Sequence, residues 1–95
     1  MKPLLIKTSI YPDNRGFFKE LFLKKKIKFN CKFTAMSSSK KNVIRGLHYQ
    51  SKKKQAKILS VLRGSAIDIC VNIDKKSKNF GKVYKFMLKP GLLLY

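Results

Sequence analysis

Residues 66–73, Ala66-Ile67-Asp68-Ile69-Cys70-Val71-Asn72-Ile73, change character at every step. Side chains of a β-strand alternate between its two faces. Ile67, Ile69, Val71 and Ile73 therefore share one face, and Ala66, Asp68, Cys70 and Asn72 share the other. An apolar face opposite a polar one suits a strand whose polar side meets water, or the wall of a barrel whose lumen holds a polar ligand.

Outward from this strand the same texture continues. Arg63-Gly64-Ser65 and residues 74–81 carry the turn residues that bracket it. Residues 43–50, 55–62 and 82–88 read as further β-type runs, and residues 32–38 alternate loosely. Short strands separated by short turns predict an antiparallel sandwich or barrel. Nearer the start, residues 3–10 read as a first strand and residues 11–16 (Tyr-Pro-Asp-Asn-Arg-Gly) as a turn. The spacing of Phe18, Leu21 and Phe22 predicts one short helix over residues 17–26, running into a basic loop at 24–28. After the turn Lys89-Pro90-Gly91 the chain stops inside a new apolar run, Leu92-Leu93-Leu94-Tyr95. That run reads as an interrupted element, so a C-terminally truncated single domain over residues 1–95 is the expectation.

Composition bounds the rest. A chain of 95 residues has room for one small domain, and a hydrophobic content of 44% supports a core. Two cysteines, Cys31 and Cys70, are too few for a disulfide scaffold. No secretory leader is read at the start and no membrane-length apolar stretch anywhere, which points to a cytoplasmic protein with reduced thiols and no membrane partner. The net charge of +19 invites a nucleic-acid reading. Against it, only three of the 23 basic residues are arginine, the side chain that reads guanine and phosphate with a planar fork. A solvated lysine surface is the plainer account, and no nucleic-acid partner is expected. The three arginines each precede a glycine, as Arg15-Gly16, Arg45-Gly46 and Arg63-Gly64. In a chain that otherwise uses lysine, these positions point to a need for the guanidinium itself.

Few residues offer chemistry. His48 is the sole histidine, either a general base in a polar cavity or an inert hydrogen-bonded side chain on a sheet. Arg45 lies three residues before it, so a bulge at Gly46 is needed to bring both to one side of a strand. Lys57 begins the next predicted strand, across a hairpin from His48. It reads either as a surface lysine or as a charge placed to stabilise an enolate. Asp68, one of only four acids, either orients a catalytic group or forms an ordinary ion pair. One histidine cannot furnish a cupin-type metal site, so no metal and no cofactor are expected.

Five ordered segments then carry a resemblance. Asp13-Asn-Arg-Gly-Phe-Phe-Lys-Glu20 is similar to a D-x-R-G-x-F-x-E motif. Ser39-Lys-Lys-Asn-Val-Ile-Arg-Gly-Leu-His-Tyr-Gln50, Gln55-Ala-Lys57, residues 61–73 and Ser77-Lys-Asn-Phe-Gly81 come after it at compatible spacing. Together they resemble the dTDP-4-dehydrorhamnose 3,5-epimerase family. The resemblance implies a mainly β fold, an antiparallel double-stranded β-helix (the cupin or jelly-roll barrel) without metal. It implies a homodimer, and a substrate of dTDP-4-dehydro-6-deoxy-glucose in dTDP-rhamnose and cell-surface polysaccharide synthesis. By the same likeness His48 is the base at C3 and C5, Lys57 the enolate stabiliser and Asp68 a supporting charge. Arg45 holds the diphosphate, and Arg15, Phe18, Glu20 and Gln50 bind substrate. Two departures stand out. Phe33 and Ala35 replace a Q-x-N pair that helps hold the nucleotide. The family's tyrosine acid and histidine-orienting aspartate, which come later in its pattern, are absent from this sequence, so the isolated chain is expected to be impaired. A related cupin ketoisomerase, a basic nucleic-acid-binding protein and a non-catalytic dimerisation fragment are the other readings.

Overall fold

The computed structural model describes residues 2–95. It contains seven short strands and, among the described residues, no helix. β1 is Leu5–Lys7, β2 Ile10–Asp13 and β3 Gly16–Lys19. β4 is Leu59–Ser60, β5 Ala66–Val71, β6 Val83–Leu88 and β7 Leu92–Leu94. They form three antiparallel sheets, ordered β1-β7-β4, β2-β3 and β5-β6. The antiparallel, mainly β expectation holds; no closed barrel is formed by these sheets.

The alternating segment at 66–73 supplies β5, the anchor of the longest ladder. It pairs with β6 from Ala66↔Leu88 to Val71↔Val83. The ladder is extended by Asn72 N donating to the Lys82 carbonyl and Gly81 N to the Asn72 carbonyl. Its two faces are as the alternation dictates, but their burial runs against expectation. Ile67, Ile69 and Ile73 are about half exposed, while Asp68, Cys70 and Asn72 are the better-covered side. Phe86 and Leu88 of β6 stand on that same side, opposite Asp68 and Ala66, and supply the cover.

The helix expected over residues 17–26 is not formed. Asp13 Oδ1 accepts a hydrogen bond from Arg15 N at 2.8 Å, closing the turn, and Gly16 takes φ +138°, a conformation rarely open to side-chain-bearing residues. The chain after Gly16 is thereby aimed back along β2, and Phe17, Phe18 and Lys19 pair with Pro12, Tyr11 and Ile10. What remains of helical character is one turn, in which Lys26 N and Ile27 N both donate to the Leu23 carbonyl.

The expected strands at 32–38 and 43–50 are absent, and 55–62 is reduced to the two residues of β4. Within 43–50 the backbone leaves the strand region at Gly46, φ +98°, while Asn42 (+66°) and Lys53 (+52°) lie in the connections on either side. Ile44 and Leu47, 92% and 73% exposed, find no surface against which an extended segment would be held.

The run at 92–95 finds partners upstream within the chain. β7 lies between β1 and β4, with Leu94 opposite both Leu5 and Leu59 and Leu93 opposite both Ile6 and Ser60. Tyr95 N and Leu4 N exchange hydrogen bonds with each other's carbonyls at 2.8 and 2.7 Å. Leu93 and Leu94 join Ile27 and Leu88 as the buried core, each leucine contributing about 2 kcal/mol by removal from water. Edge-on aromatic contacts of Phe29 with Tyr95 (5.8 Å) and with Phe22 (6.5 Å) close one side of it.

Candidate functional site

The β2–β3 hairpin gathers three of the sequence-predicted binding residues. Arg15 occupies its tip, where a guanidinium nitrogen lies 2.9 Å from Asp13 Oδ2. That bond, the bond from its backbone N and a further one from Gly16 N hold the Asp13 carboxyl below the usual carboxylate range. Phe18 stands opposite Tyr11, with ring centroids 6.2 Å apart. Tyr11 OH donates to Glu20 Oε1 at 3.0 Å, fixing the carboxylate at the base of the hairpin. Asp13, Arg15, Phe17 and Phe18 line a hollow of ≈ 270 Å³. A cation beside two exposed aromatic rings is an arrangement able to meet a phosphate and stack a flat ring. Sequence reasoning misses Asp13, Tyr11 and Phe17. Asp13 does carry a signal, an acid two residues before an arginine inside a turn. That for Tyr11 emerges only once the hairpin register is known.

Arg45, His48, Gln50 and Lys57 fall in the exposed, irregular part of the chain. Arg45 is held locally: its Nε donates to Ser39 Oγ at 2.8 Å and a terminal guanidinium nitrogen to the Ser38 carbonyl at 3.2 Å. The His48 ring folds back over Gly46, so that a Cβ placed there would lie 3.6 Å from both Nδ1 and Cε1. The hairpin expected to set Lys57 across from His48 is not formed, because β4 pairs with β7 instead. Among the described residues no hydrogen bond or ion pair joins His48, Lys57 and Asp68. Asp68 sits on β5, where its Oδ2 accepts from Cys70 Sγ at 3.2 Å. Partial burial, and secondarily the neighbouring Asp68, push the Cys70 thiol up to about 11. The structure thus carries Arg15, Phe18 and Glu20 on one hairpin, with Arg15 and Phe18 on a common hollow, and forms no hydrogen bond among His48, Lys57 and Asp68. Among the described residues no group of three or more His, Cys, Asp or Glu side chains is placed to hold a metal ion. No helix there is long and apolar enough to cross a membrane.

Comparison with known proteins bears on which of these residues belong together. No solved structure matches the chain significantly. A protein of Neisseria gonorrhoeae named dTDP-4-dehydrorhamnose 3,5-epimerase is 37% identical over 83 residues, covering 82% of this chain and 25% of its own length. Proteins of the same name from Methanothermobacter thermautotrophicus and Salmonella typhimurium are 34% and 35% identical. Each match covers 83% of this chain, and 45% and 47% of the respective relative. The chain therefore spans between a quarter and about half the length of these relatives. The model of the family described as dTDP-4-dehydrorhamnose 3,5-epimerase matches residues 2–91, a span that holds every candidate residue from Arg15 to Asp68. By that match, the chain belongs to the dTDP-4-dehydrorhamnose 3,5-epimerase family.

Proposed function

We propose that this chain carries the proton-abstracting part of a sugar-nucleotide 3,5-epimerase acting on dTDP-4-dehydro-6-deoxy-glucose. The observation that carries the reading is the family match across residues 2–91, which includes both groups the chemistry requires, His48 and Lys57. The protons at C3 and C5 are acidic because both lie α to the C4 ketone. Removing either one develops negative charge on the ketone oxygen. In this reading His48 is the base. The Lys57 ammonium meets the enolate oxygen, where a fixed charge contributes more to the transition state than to the ground state. Asp68 supports the charge balance of the pair. Arg45 takes the diphosphate, and Arg15, Phe18, Glu20 and Gln50 bind the rest of the nucleotide-sugar.

The hairpin geometry is consistent with that division, since its exposed rings and guanidinium suit a base and a phosphate. Assembly of His48, Lys57 and Asp68 into one pocket belongs to a cupin barrel in which residues 43–50 and 55–62 run as paired strands. We propose that fold, in a single domain, for the form that binds substrate. It would act as a cytoplasmic homodimer in which Arg15 and Glu20 reach the nucleotide of the partner subunit.

Solvent exchange tests the chemistry directly. The 95-residue chain is incubated with the dTDP-4-keto sugar in D₂O, and deuterium at C3 and C5 is read by proton NMR. The expected result is incorporation that falls by about 100-fold or more in His48→Asn, the usual contribution of a general base. Full inversion at both carbons lags behind exchange, because only one side of the acid–base pair is supplied. Equal exchange by the chain and by His48→Asn, or none above the solvent background, removes the reading.

A further inference from the structure

A second hollow, of ≈ 400 Å³, lies between the β2–β3 hairpin, the β4–β5 connection and the β6–β7 turn. Ile10, Phe17, Leu62 and Pro90 give it apolar walls, and Lys19, Arg63 and Gly64 supply its polar features. None of these residues belongs to the proposed epimerase set. Arg63 is the one arginine of the three Arg-Gly pairs for which that set has no use.

The charges in this hollow are uncompensated. No acid lines it. Lys19 Nζ is buried and has no hydrogen-bond partner in the protein, which is costly for an ammonium group. Its sequence neighbour Glu20 points to the opposite face of the strand and engages Tyr11 through Oε1. Among the described residues the one ion pair formed by side chains is Asp13–Arg15, so Arg63 is also unpaired. Gly64, at φ +81°, turns the chain immediately after Arg63. Beside the lining residue Pro90, Gly91 packs closely on Ile10: an added Cβ would come within 3.2 Å of Ile10 Cδ1.

We infer that this hollow is a binding site for an aromatic phosphate monoester. Arg63 holds the phosphate, with the buried Lys19 ammonium adding positive charge behind it, and Phe17 with Leu62 and Pro90 holds the ring. A guanidinium presents two parallel donors to a phosphate and the ammonium adds a point charge. The volume decides against inorganic phosphate as the fitting ligand: it falls in the range of about 300–1,000 Å³ typical of small-molecule sites and leaves the apolar walls bare around a lone ion. The inference is separable from the epimerase reading: Phe17 borders both hollows, but Arg63, Lys19, Leu62 and Pro90 play no part in that reading.

Phenyl phosphate is the probe, titrated into the ¹⁵N-labelled chain. The expected result is saturable shifts of the amides of Phe17, Arg63 and Gly64, with inorganic phosphate and phenol each binding more weakly by about tenfold or more. Arg63→Gln, at an exposed position that leaves the fold intact, weakens phenyl phosphate by about tenfold or more, as does Lys19→Met. Lys25→Gln, on a basic loop elsewhere, leaves it unchanged. With a net charge of +19, diffuse anion binding is the competing outcome. Non-saturating shifts spread over residues 24–26 and 52–54, or equal affinity for Arg63→Gln and the unaltered chain, overturn the proposal.

Discussion

At the scale of single residues, the least expected environment belongs to Cys70. On sequence it is one member of a polar strand face. In the structure that face is the covered one, and the Asp68 carboxylate accepts the thiol hydrogen at 3.2 Å. Ionising Cys70 would bury charge and set it against Asp68, so its pKa is displaced upward, from 9.0 to about 11. The folded chain keeps the proton after the unfolded chain has begun to lose it. This contribution to stability is therefore complete below pH 9 and fades as pH rises toward 11. Alkylation gives a direct check. In a Cys31→Ser background, the rate of Cys70 carboxamidomethylation should climb about tenfold per pH unit from pH 8 to 10, because the thiolate fraction does. A plateau setting in near pH 9 would show an ordinary thiol. In urea the same cysteine should react as an unfolded one does.

At the scale of elements, the legible strands are those whose pattern needs no distant partner to be read. Residues 66–73 alternate strictly and supply β5, Ala66–Val71. The run read at 82–88 supplies β6, Val83–Leu88, and the strand read at 3–10 survives as β1 and the start of β2. Of the turn read over residues 11–16, the part from Asp13 to Gly16 is legible, since Asp and Gly there act through local bonds, whereas Tyr11 and Pro12 belong to β2. The segment beyond that turn is not. Phe18, Leu21 and Phe22 fit a helical stripe, but the spacing says nothing of the register Tyr11↔Phe18 that claims Phe18 for a strand. For the candidate site the division is similar. Arg15, Phe18 and Glu20 are carried by one local hairpin, whereas joining His48 to Lys57 depends on pairing between two separate segments, 43–50 and 55–62, of which only Leu59–Ser60 enters a sheet, and that with β7. β7 is easily misread because its partners, β1 and β4, lie far upstream. Its weight can be measured: Leu93→Ala should cost about 2–5 kcal/mol in urea denaturation, the range for truncating a buried leucine. By contrast Leu47→Ala, at a position 73% exposed, should change stability by less than about 0.5 kcal/mol. Equal costs at the two sites would contradict the placement of the core.

At the scale of the whole molecule, the structure is open. Its accessible surface is 8986 Å², against roughly 5,600 Å² for a compact monomer of 11.0 kDa. Ile67, Ile69, Val83 and Met87 form a bare apolar side of the β5–β6 ladder. Such a surface favours association, and the charge of +19 opposes it. The two effects respond differently to salt. Sedimentation should show a mainly monomeric chain at low ionic strength and growing oligomers toward about 0.5 M salt, where charges a few ångströms apart are already screened. Thermal unfolding should be broad at every salt concentration. A sharp, two-state, concentration-independent melt of a monomer would contradict this picture. The place of β7 between β1 and β4 also bears on how the chain is made. During synthesis residues 5–7 leave the ribosome early, yet among the described residues the only strand that bonds to them is residues 92–94. The sheet that holds the core therefore cannot zip up as the chain emerges. It must wait, with its first strand idle, until everything from β2 to β7 has been translated.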